Sequence, residues 1–306
     1  MQIVTEVIVL DILVVGAGPA GLAAATVAAQ AGADVVLVDG VEWAGGRLAL
    51  QTQPLQGPRS IFEGQNGVDF CRNLVNQASD AGVDIRLGTR ATSITSLSGG
   101  GFSASLSGGK PAISARAVIL SMGSTEPVPS LPGSELPGVM LSGDAQKMLN
   151  VDGKLPGKRI VMVGSDNAGL LISANLMDAG AEVVAVVEEG YRLVGSQVNL
   201  EPLLAQGVQF LVSTQVLTAS GTGSLELVEL RNAASEVLRL DVDVMCLAGL
   251  RIPNMDLERP EELVLREQAA LGGLVPVQDK RMRTSAIGLY VCGDSSGVES
   301  GAAALE

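Results

Sequence analysis

The chain has 306 residues, 47% of them apolar, with 33 acidic against 20 basic residues for a net charge of −13. That length accommodates two domains with cores of their own, and so acidic a surface repels phosphate backbones, which argues against nucleic-acid binding. Histidine is absent, so no imidazole acts as base or ligand; no metal centre is expected, and the chemistry falls to a bound cofactor or a partner protein.

Taken in chain order, residues 11–15 form an apolar, strand-type run that ends in the turn Gly16-Ala17-Gly18-Pro19-Ala20-Gly21. An alanine-rich segment of helical length stops at Gly32, and residues 34–38 read as a second buried strand ending on Asp39 and Gly40. Strand, glycine turn, helix, strand and acid is the order of a dinucleotide-binding unit. Each glycine has a mechanical reason. Gly16 permits the tight turn, Gly18 lets a pyrophosphate approach bare backbone, and Gly21 lets helix and strand pack closely. Pro19 and Ala20 open the helix, whose free N–H groups and positive dipole end face that phosphate. Asp39 is placed to accept hydrogen bonds from an adenosine ribose.

Gly45, Gly46 and Arg47 read as a loop lining a flavin, and Gln51, Gln53 and Arg59 lie in the stretch expected to run over its ring; plain solvation is the alternative for these polar residues. Residues 83–87, 91–97, 102–106 and 112–115 read as short β segments, with Ala91 opening the second. Residues 117–121 return as a buried strand ending at Gly123. The proline-rich residues 127–137 read as a linker. From Arg159 the module is written again: a strand at 160–163, the turn Gly164-Ser165-Asp166-Asn167-Ala168-Gly169, a helix to Gly180 and a strand at 181–187. The first turn glycine and the helix-ending glycine are 16 residues apart in both copies, and AGADVV recurs as AGAEVV. A repeat in register is not an accident of composition. β-like pieces at 208–212, 215–219, 225–230 and 237–240 follow, and 242–247 returns. Cys71, Cys246 and Cys292 all sit in apolar surroundings and read as packed thiols. No apolar run reaches membrane-span length and none carries secretory flanks, so the chain reads as soluble and cytoplasmic.

Near the end, residues 284–294 place a Thr, a buried strand and a terminal Gly293-Asp294 in the order used to close an FAD site. With this motif the chain resembles the two-dinucleotide-binding-domain flavoproteins, the pyridine nucleotide–disulfide oxidoreductase superfamily. It is most similar to the FAD-bearing subunits of hetero-oligomeric dye-linked proline dehydrogenase, opine oxidase, hydrogen cyanide synthase and sarcosine oxidase. The segments GGRLALQTQ, LPGVMLSGDAQKMLNVDGKLPGKRIVMVGS and GLYVCGDSSGVES carry the closer likeness. The resemblance implies an α/β fold of two Rossmann-like (glutathione-reductase-type) domains, each with a parallel sheet and a small antiparallel β-meander. Residues 1–125 and 255–306 would form a discontinuous FAD-binding domain, and 126–254 an inserted second nucleotide-binding domain. FAD would be held by Gly16, Gly18, Pro19, Ala20, Gly21, Asp39, Gly40, Gly46, Arg47, Gln51, Ala91, Gly123, Gly293 and Asp294, the last accepting a ribityl hydroxyl. NAD(P)H, ATP or nothing would occupy the second turn, at Gly164, Asp166, Asn167, Gly169 and Glu188.

Three features depart from the family pattern. Asp166 replaces the second glycine of the second turn, setting a negative charge where a pyrophosphate would sit. From helix-ending glycine to acid is seven residues in the first copy, Gly32 to Asp39, and eight in the second, Gly180 to Glu188. One residue of slip on a strand turns a side chain to the opposite face unless a bulge restores it. After Asp294 only residues 295–306 remain, against the longer buried helix that the resemblance implies; a shortened chain or a covering partner accounts for this. No paired cysteines are present, and no catalytic residue is assigned. The leading expectation is an FAD-dependent oxidoreductase. It would be the electron-transfer subunit of an amine, amino-acid or opine-type dehydrogenase or oxidase, partnered by a second flavoprotein subunit or a copy of itself and acting on a small-molecule substrate or electron acceptor. The alternatives are a stand-alone NAD(P)H-dependent flavin reductase of thioredoxin-reductase size without a redox disulfide, and a non-catalytic nucleotide-holding subunit.

Overall fold

The first apolar run becomes strand β1 (Leu10–Val15) in the computed structural model, which describes residues 10–55, 62, 64–249 and 251–298. The chain divides into two units, with boundaries after Thr125 and after Leu250. In the first unit β1 leads into helix α1 (Pro19–Gln30) and then β2 (Val35–Val38), followed by helix α2 (Gly67–Asp80) and β3 (Asp84–Arg86). β1 and β2 are parallel and buried on both faces: Leu13, Val15, Val36 and Val38 join one core cluster, while Val14, Val35 and Leu37 join the other beneath α1. That double burial is why these strands read as unbroken apolar runs. Fully buried Leu13 and Leu37 each stabilise the unit by about 1.5–3 kcal/mol relative to exposure.

β4 (Ala91–Ser96), β5 (Phe102–Leu106) and β6 (Ile113–Leu120) complete a sheet of order β3-β2-β1-β6-β5-β4. The pieces expected separately at 112–115 and 117–121 are one strand. Arg116, which breaks the apolar run, is exposed and pairs with Asp11, and the buried positions change phase across it, from Ile113 and Ala115 to Val118 and Leu120. The first half of β6 pairs antiparallel with β5 and the second half parallel with β1. Strand β7 (Ser124–Thr125) ends this stretch. Arg59 lies outside the described residues.

The second unit holds β8 (Val139–Leu141), α3 (Ser142–Asn150), β9 (Arg159–Val163), α4 (Asn167–Asp178), β10 (Glu182–Val187), α5 (Gln197–Ala205) and β11 (Gln209–Leu211). An antiparallel meander of β12 (Gln215–Ser220), β13 (Leu227–Arg231) and β14 (Val237–Asp241) precedes β15 (Val244–Leu247). The parallel sheet has the order β11-β10-β9-β15-β8, and the meander is a sheet of its own. The proline-rich stretch read as a linker is packed structure. Ala219 N donates to Pro132 O and Leu225 N to Pro137 O, and Leu131 joins the core beneath the meander. The pairing of β10 with β9 shifts register between Val183 and Ala185, leaving Val184 as the extra residue of a bulge.

The chain re-enters the first unit at Arg251 rather than at 255, because β16 (Ile252–Pro253) pairs antiparallel with β7. The hairpin β17 (Leu265–Gln268) and β18 (Gly273–Pro276) follows. β19 (Leu289–Val291) adds to β6 in parallel. It lies between Thr284 and Gly293-Asp294, in the order expected of a Thr, a buried strand and a terminal Gly-Asp. The Thr284 hydroxyl donates to Leu289 O and ties the preceding turn.

Candidate functional site

The first glycine turn joins β1 to α1 and is held by backbone bonds that leave no room for side chains. Gly16 has φ +111°, and a Cβ there would strike the Ser121 carbonyl oxygen; a Cβ on Gly21 would strike the carbonyl oxygen of Gly16. Gly18 differs. It is the N-cap of α1, no side chain caps that helix, and among the described residues nothing lies within 4 Å of where its Cβ would be. The fold does not require a glycine at 18. An uncapped helix N-terminus with bare backbone is a place where an anion can bind.

Asp39 is fixed against this turn: Ala17 N donates to its Oδ2 at 2.6 Å and Val41 N to its Oδ1 at 3.0 Å. A carboxylate has about four acceptor sites, so capacity remains. Beside it opens a cavity of about 280 Å³ lined by Gly16, Asp39, Gly40, Gly46, Arg47 and Ala91, all expected at the site, and by Trp43. Its wall also includes Met122, which directly precedes Gly123, together with Arg90, Asn254 and Asp256, which no sequence motif marks. Gln51 does not line it; Gln51 is instead part of the loop on which Gly67 packs. Gly123, at φ +73°, accepts from Asn254 N at 2.8 Å. Gly293 and Asp294 begin a short 3-10 turn that packs against α1. Asp294 Oδ2 accepts from the Ser124 hydroxyl at 2.7 Å and from Arg251 at 3.2 Å. Ser124 and Arg251 were also missed: they stand alone in sequence, and the pairing of β7 with β16 brings them together.

The second turn repeats the first bond for bond. Gly164 N donates to Val187 O at 2.8 Å, as Gly16 N does to Val38 O at 2.8 Å. Gly195 N donates to Ser165 O at 2.7 Å, as Gly45 N does to Ala17 O at 2.7 Å. Glu188 takes the place of Asp39, with Oε2 accepting from Ser165 N at 3.1 Å and Oε1 from Gly190 N at 2.8 Å. The bulge at Val184 absorbs the extra residue, so the acid expected on the wrong face is on the right one. Asp166 is the N-cap of α4, and its carboxylate accepts from Gly169 N at 2.8 Å. Asn167 Oδ1 accepts from Ser196 N and Asn199 Nδ2.

Cys71 and Cys246 are buried and Cys292 is partly buried. Burial pushes Cys71 and Cys246 up to about 12 and Cys292 to about 11, and Cys71 donates to Gly45 O. At pH 8 each stays protonated, so alkylation of the native protein by iodoacetamide is expected to run roughly 100-fold or more slower than in urea. Intact-mass analysis checks this; a thiol that reacts at the denatured rate would show that it is not packed.

The same architecture occurs in known proteins. A family model described as "Pyridine nucleotide-disulphide oxidoreductase" matches residues 10–306. An opine oxidase subunit from Agrobacterium tumefaciens (strain Ach5) is 28% identical over 97% of this chain and 63% of that protein. The alpha subunit of sarcosine oxidase from Corynebacterium sp. (strain P-1) is 28% identical over 96% of this chain and 32% of that protein. The chain thus spans less than two thirds of the length of either relative. Thioredoxin reductase from T. acidophilum superimposes with a TM-score of 0.82 at 23% identity, over 97% of this chain and 94% of that one, a likeness of fold.

Proposed function

Because the chain belongs to the pyridine nucleotide-disulphide oxidoreductase family, we propose that this oxidoreductase holds FAD in its first unit. It serves as the FAD-bearing electron-transfer subunit of a hetero-oligomeric amine, amino-acid or opine-type dehydrogenase or oxidase. The observation that carries the reading is the open first turn. Gly18 leaves the N-terminus of α1 without a side-chain cap and faces free space, which suits the pyrophosphate of a dinucleotide. Bound FAD supplies the hydride and electron chemistry that the side chains of this chain do not.

The residues present fit that group. Asp39, locked by two backbone donors, keeps acceptor capacity for a ribose hydroxyl beside the cavity. Ser124 and Arg251 hold one oxygen of Asp294, and among the described residues the other has no hydrogen-bond donor and would accept a ribityl hydroxyl. The ion pair is largely shielded, with Arg251 and Asp294 side chains 29% and 18% exposed, so its geometry is held better than that of a surface pair. The hetero-oligomeric role is supported by the names of the relatives, which are subunits of oxidases. Separated, protonated thiols and the lack of histidine disfavour disulfide reduction.

The purified chain is expected to be yellow and to release one FAD per chain on denaturation, measured by absorbance. The FAD-loaded chain alone is expected to stay oxidised when opine or sarcosine is added, and to bleach once the substrate-bearing partner is present. Colourless protein that takes up no added FAD would overturn the reading.

A further inference from the structure

We infer that the second unit, although built like the first, takes no pyridine nucleotide, because the carboxylate of Asp166 occupies the place of the pyrophosphate. The first unit is the internal control. Both turns share their backbone bonds, both are followed by helices of 12 residues, and both are anchored by an acid at the end of the next strand. Gly18 and Asp166 are equivalent: each is the N-cap of its helix. What differs is the side chain at the ligand's position.

Three consequences follow for a dinucleotide. Gly169 N already donates to Asp166 Oδ1, so a donor that a phosphate oxygen would take is engaged. The Asp166 carboxylate brings like charge against a dianionic pyrophosphate, in a position where the first unit presents bare backbone. The ribose acceptor is also more fully engaged. Ser165 stands where the first unit has Ala17, and its hydroxyl gives Glu188 Oε2 a further bond at 2.5 Å beside that from Ser165 N. Among the described residues, Glu188 therefore accepts from three donors where Asp39 accepts from two.

A capping Asp is ordinary in a helix that meets solvent. Here the cap replaces the residue that the fold elsewhere leaves open, and the neighbouring serine fills the acid as well. Both handles by which a dinucleotide is gripped have become internal bonds. Resting on the FAD reading of the first unit, the consequence is that the flavin's redox partner is not NAD(P)H held on this chain.

The test is calorimetric titration of the full, FAD-loaded chain with NADH and NADPH, alongside Asp166→Gly and Asp166→Ser. The wild-type chain is expected to show no saturable heat, and Asp166→Gly to gain NADH affinity by roughly 100-fold or more. Asp166→Ser keeps a capping oxygen without charge; should the glycine variant unfold, a gain in the serine variant supports the inference equally. Saturable NADH binding by the wild type at micromolar concentrations overturns it. So does a wild type that binds nothing while neither folded variant gains affinity, since Asp166 is then not the cause. The FAD reading is judged separately, by the FAD released from the same preparations.

Discussion

Replacing Gly18 with Asp is expected to strip FAD from the first unit while leaving that unit folded. Among the described residues nothing lies within 4 Å of an added Cβ, so the branch point of the new side chain meets no clash. The second unit shows what the chain does with an Asp in this place: the carboxylate folds back on the helix and accepts from a first-turn N–H. Gly18→Asp should therefore cap α1 and raise its stability by a few tenths of a kcal/mol, the usual difference between an Asp and a Gly cap. The same carboxylate faces the proposed pyrophosphate. Two unit charges about 4 Å apart near a protein surface repel by about 4 kcal/mol, and allowing for the half-exposed position leaves about 3 kcal/mol, a loss of roughly 100-fold in affinity. Retained FAD in Gly18→Asp, measured by release on denaturation, would mean the flavin is not held at this turn. A variant that fails to fold would contradict the precedent of Asp166.

A large loss of stability is expected for Gly21→Ala. A Cβ there would strike the backbone oxygen of Gly16 and the Ser121 hydroxyl, which itself donates to Val15 O and Gly16 O. Neither backbone nor a locked serine yields cheaply, and overpacking of this kind costs about 3 kcal/mol. Gly32→Ala separates the clash from the backbone term. Gly32 has φ +91° and nothing within 4 Å of an added Cβ, so its penalty is confined to the left-handed conformation, about 1 kcal/mol. Denaturant unfolding should rank Gly21→Ala well below Gly32→Ala. Equal stabilities would refute the close approach of α1 to the turn.

How far the sequence disclosed this molecule depends on the kind of signal each part carries. The duplicated strand, turn, helix and strand were legible because buried parallel strands read as apolar runs and because glycines mark places where the backbone admits nothing else. Counting residues raised the displacement of Glu188, but a count along the chain cannot say where a strand bulges; the shift at Val184 is set by pairing with β9. α2 was passed over although Asn66 caps it and Phe70, Leu74 and Ala78 recur at helical spacing; the surrounding polar residues masked that stripe. α5 contains Pro202, ordinarily a reason not to propose a helix. The candidate site was legible where a motif carries it, as in the glycine turn, Asp39 and Gly293-Asp294, and illegible where it rests on polar residues outside any motif. Arg90, Ser124, Arg251, Asn254 and Asp256 belong to no motif, and their proximity is a product of topology alone.

The continuity of β6 sets the two units apart mechanically. In the first unit one strand belongs to both the meander and the parallel sheet, so a pull on β5 is passed along β6 to β1 and its turn. In the second unit the chain breaks between β14 and β15, and the meander is a separate sheet. The uncapped glycine turn is thus the one braced by an unbroken rod, whereas the turn that closes on itself hangs from a jointed one.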